Sequence, residues 1–270
     1  TPEQKAAATA ALEARGIRGT AKDPHMKWLP MLACAIGAGF AQDTTYSDKT
    51  GCGGCDSIVV ARFAPDSQRI ETPLLKGLKH GLEKRYFKSG KPKLESPYIA
   101  DKLQGVQKEY FESGALKRES PCVDDRKQGT QKEYVESGFV SETTEYSNGE
   151  LHGENWKYFA NTKIPQSLWT YANGIANGAM KRYFKTGVLK MDTYFQNGSE
   201  QGTRRTFYES GSLKTETGFL KNLKNGIEKE YAEGGTVAST ASYRNGKLVG
   251  RKTCADGRSG DEFLDCLPHD

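Results

Sequence analysis

Polar and aromatic residues alternate in short runs along most of this chain, and glycines interrupt those runs at a nearly fixed interval. From residue 81 onward the runs are about six to eight residues long. They are rich in Tyr, Phe, Thr and Val and are bounded by glycine-containing turns, a pattern that predicts strands and not helices. The lead glycines are Gly81, Gly105, Gly129, Gly153, Gly178, Gly202 and Gly226, closed by Gly250. Every interval is 24 residues except Gly153 to Gly178, which is 25. A period of this size marks a repeat array, in which each unit stacks on its neighbours.

Three columns appear when the units are aligned on these glycines. Five residues on stands an aromatic: Tyr86, Tyr110, Tyr134, Tyr158, Tyr183, Phe207 and Tyr231. Nine residues on there is usually a second glycine, with Thr162 as the exception. A second aromatic recurs near position seventeen (Tyr98, Tyr146, Tyr171, Phe195, Phe219, Tyr243), where one unit has Cys122. Phe111-Glu112-Ser113-Gly114 and Tyr208-Glu209-Ser210-Gly211 read as hairpin corners, and Asn148-Gly149, Asn173-Gly174, Asn197-Gly198 and Asn245-Gly246 as return corners. Each unit is therefore one hairpin. The expected fold is all-β: an elongated, single-layer antiparallel sheet of seven tandem 24-residue β-hairpins over residues 81–250. The aromatic column and an aliphatic one (Leu116, Val140, Ile164, Leu189, Leu213, Val237) are expected to form its core. The low apolar content, 36%, with a mean hydropathy of −0.72, agrees with such a thin structure.

Units such as Gly105–Gly114 and Tyr146–Gly153 resemble variant MORN repeats, of the kind found in bacterial proteins classed as YwqK-type antitoxins. The resemblance covers roughly residues 74–250. It implies an immunity protein (antitoxin) that binds a cognate toxin or secreted antibacterial effector, with an envelope or phospholipid-associated scaffold as the alternative.

The ends of the chain carry separate signals. Residues 26–41 read as a secretory signal peptide: Met26-Lys27, an apolar stretch of about a dozen residues, then small residues at Gly39 and Ala41. That stretch is shorter than a membrane span, and a competing reading makes Cys34 a lipidation site. The expected location is the periplasm. Residues 1–25, Ala-rich and polar, are expected to be an upstream extension, disordered or a short helix. Residues 42–80 read as an N-terminal cap with a degenerate repeat, and 251–270 as a C-terminal cap. Cys254 and Cys266 bracket that tail and are expected to form a disulfide. Cys52 and Cys55 read as a small disulfide turn, with zinc binding or thiol redox work as alternatives. Cys122 reads as a buried free thiol.

The net charge of +5 falls to about +3 once residues 1–41 are removed, too little for a nucleic-acid-binding surface. No catalytic motif is legible, so no enzymatic activity and no cofactor are expected. Two features are candidates for recognition. One is a cationic column three residues after the lead glycines: Lys84, Lys108, Lys132, Lys181, Arg205 and Lys229. It would meet an acidic protein surface or anionic lipid headgroups, or else form a solvated edge. The other is the irregular unit after Gly153, where Trp156 replaces the cation, a residue is inserted, and Trp169 lies beside Tyr171. Trp156, Trp169 and Tyr171, flanked by Lys132, Lys181 and Arg205, form the expected partner-binding patch. A tolerated bulge is the alternative.

Overall fold

A computed structural model describes residues 41–47, 57–63, 68–262 and 264–267. The signal-peptide, upstream-extension and Cys52–Cys55 expectations lie almost wholly outside these residues. The described chain is all-β, with no helix. It divides into two units, residues 1–127 and 128–270.

In the first unit, strands Ala41–Ser47, Ser57–Phe63 and Gln68–Leu75 pair antiparallel in chain order, followed by two repeat hairpins. These are Gly81–Tyr86 with Pro92–Ile99 and Gly105–Tyr110 with Leu116–Val123. The second unit continues the pattern with five hairpins, from Gly129–Tyr134 with Val140–Ser147 to Leu223–Tyr231 with Val237–Arg244. Within each unit the sheet is open and every printed pairing is antiparallel. Cys254 and Cys266 are joined, with Cα atoms 5.2 Å apart, closing the C-terminal end.

Two kinds of turn make the hairpins. At each return corner both central residues have positive φ, the mirror-image geometry that matches strand twist. Asn148 and Gly149 stand at 52° and 90°, and Ala100 and Asp101 adopt the same shape at 50° and 68° without any glycine. Successive return turns are tied by backbone hydrogen bonds, such as Gly174 N to Leu151 O at 2.8 Å and Asn222 N to Glu200 O at 3.1 Å. Stacking between successive hairpins is thus built into the main chain.

Several lead glycines have a second task besides their dihedral. A Cβ on Gly178 (φ 127°) would meet the Thr170 Cβ at 2.8 Å, and one on Gly81 would meet Pro73 at 3.2 Å. At Gly81, Gly105, Gly153 and Gly178 the residue eight positions back packs over the glycine, whereas Gly202 and Gly226 have open space and are held to glycine by φ alone.

The core differs from the aromatic and aliphatic ladders expected above. The most deeply buried column is small and polar: Ser96, Ser120, Thr144, Thr193 and Thr217, accompanied by Glu83, Gln131, Asn155 and Glu200. Buried polar groups are tolerable only when hydrogen-bonded, and here they are. Gln107 Nε2 donates to Ser96 Oγ at 2.9 Å, Thr193 Oγ1 to Glu200 Oε1 at 2.6 Å, and Thr217 Oγ1 to Glu228 Oε2 at 2.9 Å. Cations close this face from its rim. Lys79 Nζ donates to Glu83 at 2.6 Å and sits 4.6 Å from the Tyr98 ring centroid, while Lys224 pairs with Glu228 at 2.7 Å and covers Tyr243 at 4.5 Å. The aromatics five residues after the glycines are only half-buried. Cys122 is buried and unpaired as expected, and burial pushes its thiol pKa up.

Candidate functional site

Pairing across the second unit sorts the six expected contact residues onto two faces. Directly opposed residues share a face, and the ladder runs Lys132, Thr143, Trp156, Leu168, Lys181, Asp192, Arg205, Glu216, Lys229. A second ladder runs Gln131, Thr144, Asn155, Trp169, Met180, Thr193. Leu168 and Trp169 are consecutive, so the two ladders point to opposite sides. Trp156, Lys132, Lys181 and Arg205 therefore occupy one face, and Trp169 with Tyr171 the other. The single patch expected from the sequence does not exist.

The cationic column also reads differently in place. Lys84 faces Glu95, which faces Lys108, which faces Glu119. In the second unit Lys181, Asp192, Arg205, Glu216 and Lys229 alternate in sign, with Arg205 Nε 3.1 Å from Glu216 Oε1. This is a charge-alternating ladder, not a basic stripe. Tyrosine hydroxyls complete it: Tyr86 donates to Glu71 at 2.6 Å, Tyr110 to Glu95 at 2.8 Å, and Tyr231 to Glu216 at 3.0 Å. Burial and the Glu95 carboxylate push the Tyr110 phenol up to about 12. At Glu216 the Tyr231 and Arg205 hydrogen bonds hold the carboxyl below its ordinary range.

Trp156 is the apolar version of one such rung. It faces Leu168, which is 4% exposed, and stacks on Tyr183 at 6.3 Å while its Nε1 donates to Glu154 at 2.7 Å. Tryptophan and leucine together replace a cation and its carboxylate. This is a structural reason for Trp156, on the face opposite Trp169.

Trp169 replaces no ion pair. The inserted residue is absorbed in the corner after Tyr158, where Phe159 N reaches Ile164 O instead of the carbonyl four residues on. Trp169 consequently falls in the buried column that holds Thr144 and Thr193 in the adjoining hairpins. An indole is too large for a rung built for a hydroxyl, and it stands half-buried against Phe195 (5.1 Å) and Tyr171 (6.5 Å).

Beside it lies a groove of about 350 Å³ lined by Trp169, Tyr171 and Tyr146 with Glu133, Glu142 and Lys157, and with the amides of Gln131 and Asn155. Asn155 Nδ2 donates to Glu142 Oε1 at 2.6 Å and to Thr144 Oγ1 at 2.8 Å, and Gln131 Nε2 to Glu133 Oε1 at 3.0 Å. Lys157 Nζ lies 3.7 Å from Glu142. Burial pushes the Tyr171 phenol up, helped by Glu142. The aromatic members were legible in the sequence. The polar members were not, because Gln131, Glu133, Glu142 and Asn155 come from three strands and share no motif. Among the described residues no group of three His, Cys, Asp or Glu side chains is placed to hold a metal.

A family model described as MORN repeat variant matches residues 79–100, 103–121, 176–197, 200–222 and 224–245. The chain thus carries MORN-variant repeats in both units. The groove and both tryptophans of the irregular unit lie between the second and third matched stretches. A search of curated proteins finds no match to the chain.

Proposed function

We propose that this chain is an exported binding protein, an immunity protein or antitoxin that neutralises a secreted antibacterial effector by covering it. The supporting observation is Trp169, a large aromatic set into a column of hydroxyl residues and opening a polar-walled groove beside it. Half-buried Trp and Tyr clusters of this kind are typical anchors of protein interfaces. An interface of standard size buries about 1,600 Å², and a sheet of repeated hairpins offers broad flat surface around the anchor. The effector would be a cell-wall hydrolase or phospholipase acting in the periplasm, to which residues 26–41 direct the chain. The scaffold alternative, docking on anionic headgroups through the lysine column, loses its main argument because the column alternates in sign.

A strain lacking the gene, grown in contact with its parent, tests this reading. The parent is expected to kill it, and the full chain supplied on a plasmid to restore survival. Undiminished survival of the deletion strain would overturn the proposal.

A further inference from the structure

We infer that the first unit pairs face to face with a second copy of this chain, about a two-fold axis parallel to the strands and midway between Pro92–Ile99 and Gly105–Tyr110. This goes beyond the covering of an effector and uses no residue of the Trp169 groove.

Three observations carry it. First, one face of the first unit exposes a continuous aliphatic patch. Leu82 opposes Pro97, and Val106 opposes Pro121. Ile99 and Val123 lie two residues beyond those prolines on the same strands, hence on the same side. Leu78 opposes Leu75, four residues along from Glu71 and so on the side of Lys84 and Leu82. Leu78, Leu82, Ile99, Val106 and Val123 are each between 40% and 54% exposed. In the second unit the same ladder is broken by polar rungs, Thr130 opposite Glu145 and Glu154 opposite Thr170. Single exposed aliphatics are ordinary, whereas a contiguous patch marks an interaction surface.

Second, the row beside this patch on the same face is Lys84, Glu95, Lys108 and Glu119, alternating in sign. An alternating row is complementary to itself when it is reversed about the midpoint between two rungs. The axis between Glu95 and Lys108 sets Glu95 against Lys108 of the second copy and Lys84 against its Glu119. The same rotation sets Pro97 against Val106 and Leu82 against Pro121. Facing sheets stand about 10 Å apart, a gap that a lysine and a glutamate span together. No partner of a single charge sign matches such a row, and a second copy does.

Third, the area suffices. Five strands of six to eight residues, at about 4.8 Å per strand and about 3.3 Å per residue, cover roughly 24 Å by 23 Å. Two copies would then bury on the order of 1,100 Å², just above the roughly 1,000 Å² of a specific interface.

Sedimentation velocity of the purified full chain tests the pairing. The chain is expected to dimerise with a dissociation constant on the order of 10 μM. Val106→Asp is expected to weaken dimerisation at least tenfold, and Ile227→Asp, at an exposed aliphatic of the second unit, to leave it unchanged. Lys108→Glu and Glu95→Lys each set like charges across the axis, so each alone is expected to associate at least tenfold more weakly. Their equimolar mixture is expected to recover a dimer of near-original affinity, because the two changes complement each other only across the axis. Thermal unfolding of each variant checks its fold. Glu95→Lys gives up the Tyr110 hydroxyl, and if it does not fold, Val106→Asp decides alone. A chain that stays monomeric well above 10 μM, a dimer that survives Val106→Asp, or a mixture of folded charge variants that does not recover would overturn the inference. A monomer that sediments with anionic vesicles, and fails to do so as Val106→Asp, would overturn it in favour of a lipid surface. None of these results decides the killing assay above, so the two readings fail separately.

Discussion

Asp192 precedes Phe207 by 15 residues, the interval at which Glu71, Glu95 and Glu216 each receive a tyrosine hydroxyl. Phenylalanine has no hydroxyl to give, and Asp192 Oδ1 is buried without a hydrogen-bond partner. Phe207→Tyr is therefore expected to stabilise the chain by about 1.5 kcal/mol, the lower end of the range for hydrogen bonds to charged groups. Urea midpoints of the two proteins measure it. An unchanged or lower midpoint would show that the shorter aspartate does not reach.

Glycines at equivalent-looking turns differ in what they exclude. Gly178→Ala places a methyl group 2.8 Å from the Thr170 Cβ at a φ of 127°. The left-handed strain alone costs roughly 1–2 kcal/mol, and the clash adds to it. Gly90→Ala, at φ 82° with open space around it, is expected to cost the strain and nothing more. Chemical denaturation of the two variants should rank Gly178→Ala as the more damaging.

The ion ladders set the pH limits of stability, with opposite signs at the two ends. At Tyr110 burial and Glu95 raise the pKa from 10 to about 12, so the folded state prefers the neutral phenol. That contribution is complete below about pH 10 and is lost as pH rises toward 12. At Glu83 burial pushes the carboxyl up, but Lys79 and Arg85 outweigh it and hold it below 4.5. Its contribution is present above that value and is lost as pH falls through the lower folded pKa. Tyr110→Phe is expected to flatten the alkaline decline, and Lys79→Met to move the acid transition to higher pH. Denaturant midpoints from pH 2 to 12 measure both.

The hairpins were legible because their turns are local. Asn148-Gly149 and Phe111–Gly114 encode their geometry within two to four residues, and the glycine period repeats it. The placement of Trp156 and Trp169 was not legible, since it depends on where one inserted residue is absorbed. Taken up in the corner after Tyr158, the insertion aligns Leu168 with the charged ladder and Trp169 with the hydroxyl column. The alternation in sign of the cationic column escaped for a related reason. Its carboxylates, Glu95, Asp192 and Glu216, sit eleven residues further along the chain, and only cross-strand pairing brings them beside the lysines. The buried Ser and Thr column was not legible, because hydroxyl residues are ordinarily exposed. What covers it, such as Lys79 over Tyr98, comes from a neighbouring turn.

The division of labour between the two faces is best tested by a pair of variants that each restore the repeat. Trp169→Thr returns the hydroxyl found at Thr144 and Thr193, and the double change Trp156→Lys with Leu168→Glu returns an ion-pair rung. Both proteins are assayed for thermal unfolding and for protection of the deletion strain against its parent. Trp169→Thr is expected to keep its melting temperature within a few degrees and lose protection, while the double variant keeps protection. Full protection by Trp169→Thr, or its loss in a folded double variant, would contradict the assignment of recognition to the Trp169 face.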